Sequence, residues 1–195
     1  MGAYDPQEMA TPEAFRTNPQ LVWDWHVHLA ETIRQAKPNA GHEAIARMQD
    51  FGPRITVLTT NIDGLHQAAG SRNIAELHGT LARLKGFSDP EAQQGGEKFA
   101  ACQLCGGMTR AENCNPAFDP TGIAPIKLVT GPVPHCPACG LLLRPGIVWF
   151  GEPLEERFDR FAYMVATTCD ALICIGTRRM CGRSCGFHGL PSMKA

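Results

Sequence analysis

Between Thr59 and Thr80 the chain reads TTNIDGLHQAAGSRNIAELHGT, which gathers Asn61, Asp63, His66 and His78 between short apolar runs. Taken singly, Asn61 and Asp63 serve to cap a helix, and a lone histidine is most often a satisfied surface or core residue. Taken together, an amide and a carboxylate ahead of a short helix, with an imidazole after the next strand, can hold a polar ligand and move a proton. An unperturbed imidazole titrates at about 6.5, close to neutral pH. A second set is Cys102-x2-Cys105 and Cys136-x2-Cys139. Each pair can bend into a knuckle with both sulfurs facing one ion, and four thiolates complete a closed tetrahedral zinc shell. Closed shells are structural rather than catalytic. Thirty residues separate the pairs, and Cys114 or His135 stands as an alternative fourth ligand.

The elements that must position these groups follow from caps and periodicity. Thr11-Pro12 and Asn18-Pro19 each set a capping residue before a proline, so two successive helices begin there. In the second, Val22, Trp25, Leu29 and Ile33 recur at helical spacing and are expected to face the core. Asn39 caps a third helix carrying Ala44, Ile45 and Met48, which stops near Gly52-Pro53 ahead of a strand from Ile55. The chain then turns through Asn61 and Asp63, forms a short helix closed by Gly70, and delivers His78 from a strand over Asn73 to Leu77. This order brings the polar residues to one edge of a sheet, where open α/β folds bind ligands. From Gly86 to His135 periodicity is lost, as befits a metal-held insert. Regular structure returns with Leu141 to Phe150, followed by a helix starting near Pro153 with Leu154, Phe158, Phe161, Ala162 and Val165 on one face. Ala171 to Ile175 reads as a buried strand ending at the Gly176-Thr177 turn.

Composition narrows the class. A chain of 195 residues with 44% hydrophobic content can bury a sizeable core, and a net charge of -1 argues against wholesale binding to nucleic acid or an anionic membrane. No apolar run approaches the roughly 20 residues of a membrane span. The opening MGAYDPQEMATPEAF lacks the features of a secretory signal, so the expectation is an intracellular protein, cytoplasmic by default. In that reducing setting, nine cysteines point to metal binding rather than disulfides. Oligomeric state is left open.

Asn61-Ile62-Asp63-Gly64-Leu65-His66 followed by Glu76-Leu77-His78-Gly79 resembles the signature of the sirtuins, the NAD-dependent protein deacylases. The resemblance implies an α/β fold with a Rossmann-like parallel sheet and a small insert in which Cys102, Cys105, Cys136 and Cys139 hold one structural Zn2+. It implies that His78 acts as general base on the ribose hydroxyls of NAD. It implies further that the acyl-lysine oxygen attacks the carbon bearing nicotinamide, nicotinamide leaves as an alkylamidate forms, and the ribose hydroxyl then takes the acyl group to give O-acyl-ADP-ribose. By the same resemblance, Asn61 and Asp63 line the nicotinamide pocket, Thr60, Ile62, Gly176 and Thr177 join them around NAD, and His66 supports the corner from behind. Thr60 stands where the family usually carries Gln, so a ribose hydrogen bond is expected to be lost. The segment Leu142 to Glu152 resembles the one that takes up an acylated-lysine protein or peptide as an added strand. Val148, Trp149, Phe150 and Gly151 are then the substrate residues, with Val148 and Phe150 walling the acyl tunnel. Relatives that prefer acidic acyl groups carry Tyr and Arg at the positions of His26 and Leu29, so this chain is expected to favour acetyl or a longer neutral group.

The resemblance covers roughly Met1 to Thr177, and in this chain the first cysteine pair follows the His-Gly corner at a greater distance than in most members. The family's Gly-Ala-Gly-x-Ser loop and Phe-Arg pair precede the point at which this sequence starts, and Arg178-Arg179-Met180 follows Thr177 where the family has Ser. The resulting expectations are unpaired backbone beside an absent central strand, weak NAD binding, and a tail read in a shifted frame or past a wrong splice site. The expected organisation is residues 1–85 as a Rossmann-like part with a helical segment, 86–140 as the zinc insert, 141–177 as the return to the Rossmann-like part, and 178–195 as an atypical tail. Beside deacylation stand two alternatives: a catalytically impaired zinc-stabilised fragment or peptide-binding module, and ADP-ribosyl transfer to protein at the same site.

Overall fold

A computed structural model of the chain describes residues 4–51, 54–87, 128–136 and 140–176. In chain order its elements are α1 (Pro6–Met9), α2 (Pro12–Thr17), α3 (Pro19–Gln35), α4 (Ala40–Met48), β1 (Val57–Thr59), α5 (Leu65–Ala68), β2 (Ile74–Glu76), β3 (Gly79–Gly86), β4 (Leu143–Ile147) and α6 (Glu156–Thr168). They divide into two compact units, each assembled from two separate stretches of chain. One takes the described residues of Met1–Ala36 and Gly79–Glu152, the other those of Lys37–His78 and Pro153–Ala195. Most of the expected zinc insert and the whole 178–195 tail lie outside the described residues.

In the first unit three helices start from one device. Asp5, Thr11 and Asn18 each accept a backbone N–H with the side chain, and each precedes a proline in the first turn. The first of these helices, α1, is additional to the two that capping predicts. The buried face of α3 is Val22, Trp23, His26 and Val27, which corrects the expected stripe of Val22, Trp25, Leu29 and Ile33. The physical reason lies in the polar atoms. Trp23 donates its indole N–H to the Val129 carbonyl at 3.1 Å, and both ring nitrogens of His26 are hydrogen-bonded, so these side chains can go inside. Gln20 adds two bonds from the same helix, donating to the Gly131 carbonyl and accepting from the Val133 amide.

β3 and β4 pair antiparallel, with Gly79 opposite Ile147 and Thr80 opposite Gly146, before the register slips between Thr80 and Leu84. β3 was not anticipated from the sequence, and the slip is the reason. A bulge interrupts the two-residue alternation by which a strand is recognised. Gly79 has φ 73°, and a Cβ built there would sit 2.1 Å from the Gly146 carbonyl oxygen. The two backbones therefore close only because Gly79 has no side chain. Phe15, Phe87 and Trp149 fill the core of this unit, with Phe15 ring centroids 4.8 Å from Phe87 and 5.3 Å from Trp149.

The second unit is built around a strand–helix–strand step. Asn39 caps α4, and His42 returns the bond to its backbone in a reciprocal capping box. β1 and β2 run parallel with Val57 opposite Ile74, Leu58 opposite Ala75 and Thr59 opposite Glu76. Ala75, Leu77 and Ala162 of α6 form the core, with Leu58 and Phe158 packed against them. Gln49 ties the end of α4 to the strand entries by donating to the Ile55 carbonyl and accepting from the Arg72 amide. Of the expected α6 face, Ala162 alone is fully buried, and Phe161 reaches solvent. Ala171 to Ile175 is not the buried strand that its composition predicts. It pairs with no strand among the described residues, and Ile173 and Ile175 are 69% and 67% exposed. An extended run of apolar residues becomes a buried strand only when a neighbouring strand takes its backbone groups. No helix among the described residues is long and apolar enough to cross a membrane.

Candidate active site

The chemistry-bearing side chains divide between the two units. In the second unit, the Leu77 amide donates to the Thr59 carbonyl at 2.8 Å, which extends the parallel ladder one rung past Glu76. Beyond that rung both strands end at the same edge, β1 releasing Thr60 to Asp63 and β2 releasing His78. Ligands of α/β sheets bind at this carboxyl edge. The His78 ring is half-buried at this edge, beside the Thr60 backbone. Burial lowers its pKa below the ordinary 6.5, and the Thr60 backbone opposes that shift. The lowered pKa favours the neutral imidazole at pH 7, in which one ring nitrogen keeps its lone pair. That is the state a general base requires.

Around it, the exposed Asn61 donates its backbone N–H to Thr59 Oγ1 at 3.1 Å. Asp63 Oδ1 accepts from the Leu65 amide at 2.9 Å and, with Gly64 at φ 70°, turns the chain into α5. Thr60 is exposed and Ile62 half-buried in the same turn. His66 faces His42 of α4 at 4.8 Å between ring centroids. Its pKa is lowered by burial first and by His42 second, with Asp63 opposing, and its Nδ1 has no partner among the described residues. Gly176 sits exposed at φ 65°, and Thr177 lies outside the described residues.

In the first unit, β4 leads into Val148, Trp149, Phe150 and Gly151. Trp149 is buried and Phe150 is 52% exposed. The Trp149 amide donates to Glu152 Oε2 at 2.8 Å, the Glu152 amide returns a bond to the Trp149 carbonyl at 3.1 Å, and the Phe150 amide donates to the Ala10 carbonyl at 2.8 Å. Among the described residues, the Phe150 carbonyl and the Gly151 amide have no backbone partner. Arg144 of β4 pairs with Glu152 and lays its guanidinium over the Trp149 ring at 3.8 Å. Burial lowers the Arg144 pKa, and the Glu152 carboxylate opposes the shift. Neither Arg144 nor Glu152 was singled out from the sequence. Their signal was present, a cation and a carboxylate bracketing an apolar run. His26 is 0% exposed and reaches Trp149, and Leu29 is half-buried further along α3.

Cys136 is buried, its amide donating to the Leu141 carbonyl at 2.7 Å and its carbonyl accepting from Gly140 at 2.8 Å. Cys102, Cys105 and Cys139 lie outside the described residues. No three His, Cys, Asp or Glu side chains gather around a metal position among the described residues.

The chain is similar to known proteins in sequence and in fold. A NAD-dependent protein deacylase of Aeropyrum pernix is 38% identical over 174 residues, covering 89% of this chain and 59% of that protein. A crystal structure of a Sir2 homologue–NAD complex superposes with TM-score 0.59 at 32% identity, covering 82% of this chain and 51% of the other. A structure of Sir2Af2 bound to a myristoylated histone peptide gives 0.53 at 29% identity, covering 85% and 59%. The chain spans less than two thirds of the length of these relatives. The Sir2 family model matches residues 2–181, a span that holds both the His78 corner and the Val148–Gly151 segment, and the chain therefore belongs to the Sir2 family, with its Rossmann-like α/β fold.

Proposed function

We propose that the chain carries the catalytic corner and the peptide strand of an NAD-dependent protein-lysine deacylase. The observation that carries this reading is His78, half-buried where the paired parallel strands β1 and β2 end together, one residue past the Leu77–Thr59 rung. NAD would supply the electrophilic ribose carbon and nicotinamide as leaving group. The residues present fit its nicotinamide–ribose end: Asn61 is exposed at that edge, Asp63 shapes the turn beside it, and the bare nitrogen of His78 accepts a hydroxyl proton. The acylated-lysine peptide, the partner of this reading, would add along Phe150 and Gly151, whose backbone carbonyl and amide remain for pairing. The relative with a myristoylated histone peptide supports that choice. Val148 and Phe150 wall the acyl tunnel in this reading.

A structural zinc belongs to the same proposal, held by Cys102, Cys105, Cys136 and Cys139. The burial of Cys136, whose backbone N–H and carbonyl bond Leu141 and Gly140 respectively, is the support for it.

The test is release of nicotinamide from NAD with an acetyl-lysine peptide, comparing the zinc-loaded chain with His78→Ala. We expect peptide-dependent release that falls on the order of 10² to 10⁴-fold in the variant, the usual contribution of a positioned acid–base group. Release indifferent to His78, or none from a folded, zinc-bound chain, overturns the reading and leaves a peptide-binding module.

A further inference from the structure

The family resemblance sets His26 against the acyl group, yet this residue is 0% exposed and spends both ring nitrogens inside the first unit. Nδ1 lies 2.7 Å from the Val22 carbonyl, and Nε2 lies 3.2 Å from the indole Nε1 of Trp149. A carbonyl only accepts and an indole N–H only donates, so Nδ1 carries the proton and Nε2 is bare. One tautomer satisfies both partners. The indole is thereby held at its edge by His26 and on its face by Arg144, with Phe15 against it. The backbone of the same residue is held by Glu152, and the next amide by Ala10. Immediately beyond Trp149 in the chain stand Phe150, half in solvent, and Gly151 at φ 85°.

We propose that His26 is a positioning residue for the acyl-peptide strand, acting through the Trp149 indole rather than by touching the acyl group. The inference rests on the deacylase reading of Val148–Gly151. The hydrogen-bond acceptor matters here more than the volume. A phenyl ring at position 26 would fill the space but leave the indole N–H buried without a partner, and the indole would turn to seek one. Because Trp149 sits one residue before the pairing edge, that turn displaces the Phe150 carbonyl and the Gly151 amide together. A glutamine can restore an acceptor near the position of Nε2.

The experiment measures binding of a labelled acetyl-lysine peptide to the zinc-loaded full chain, with folding followed by circular dichroism. We expect His26→Phe to weaken binding about tenfold, the scale of one lost buried acceptor. We expect His26→Gln to stay within about threefold of the unmodified chain on the same basis. In a Trp149→Phe background, where no indole N–H remains, His26→Phe should cost nothing further. Unchanged binding by His26→Phe overturns the inference, as does an equal loss in both backgrounds. Should His26→Phe fail to fold, the indole N–H resonance of Trp149 decides in the unmodified chain: a shift on saturation with peptide supports the inference, and none overturns it. If the unmodified chain binds no acyl-lysine peptide, the deacylase reading itself fails. Binding that is indifferent to His26 removes this inference alone.

Discussion

His26 and His78 are both neutral at pH 7, for different uses. His78 keeps one nitrogen for a ligand, whereas His26 keeps none, and its pKa is lowered to about 4 by burial and by Arg144, against the opposing Val22 bond. The consequence for stability has a definite sign. The unfolded chain takes up a proton at His26 as pH falls through 6.5, while the folded chain resists until about 4. Stability is therefore full above 6.5 and declines between those values by roughly 3 kcal/mol. Urea denaturation across that range should show the decline, and His26→Gln should flatten it; an unchanged slope in the variant would assign the effect to other groups. Acyl choice belongs to the same scale. With His26 turned inward and Leu29 apolar, this stretch of α3 offers no guanidinium to an acidic acyl group. We expect acetyl-lysine peptide to turn over faster than succinyl-lysine peptide in parallel assays, and the reverse order would reject this account.

Among the elements, those with local chemistry were legible in the sequence. Capping residues followed by proline announced α2 and α3, and Asn39 announced α4, because a helix start is decided within four residues. The Asn61–His78 corner was legible for a similar reason, since strand, turn, helix and strand succeed one another directly. The elements that escaped the sequence depend on distant partners. The buried face of α3 was misread because His26 looks polar until Trp149, more than a hundred residues away, takes its nitrogen. β3 was missed because its bulge is meaningful only against β4, and Ala171 to Ile175 was assigned a partner that the described residues do not supply. The tight approach of β3 and β4 yields a prediction about glycine. Gly79→Ala must absorb both a positive φ and a backbone oxygen at 2.1 Å, and should destabilise by more than ~2 kcal/mol. Gly64→Ala meets no atom within 4 Å and should cost about 1 kcal/mol for its φ alone. Chemical denaturation of the two variants side by side checks the order, and equal losses would show that the close approach relaxes.

For the whole molecule, the proposed zinc is a folding partner rather than a reagent. If four thiolates hold it, a strong chelator should lower the melting temperature and release one zinc per chain, because metal bound only to the folded state stabilises it by linkage. An unchanged melting curve with no metal released would remove zinc from the account. The discontinuous make-up of both units has a consequence during synthesis. The core of the second unit joins Ala75 and Leu77 to Ala162, about 85 residues later. At roughly 5–20 residues per second, the apolar face of the β1–β2 pair leaves the ribosome on the order of 4–17 s before the helix that covers it. Over that interval the nascent chain is a client for chaperones, and a stall anywhere between β2 and α6 would present an uncovered strand pair to its neighbours.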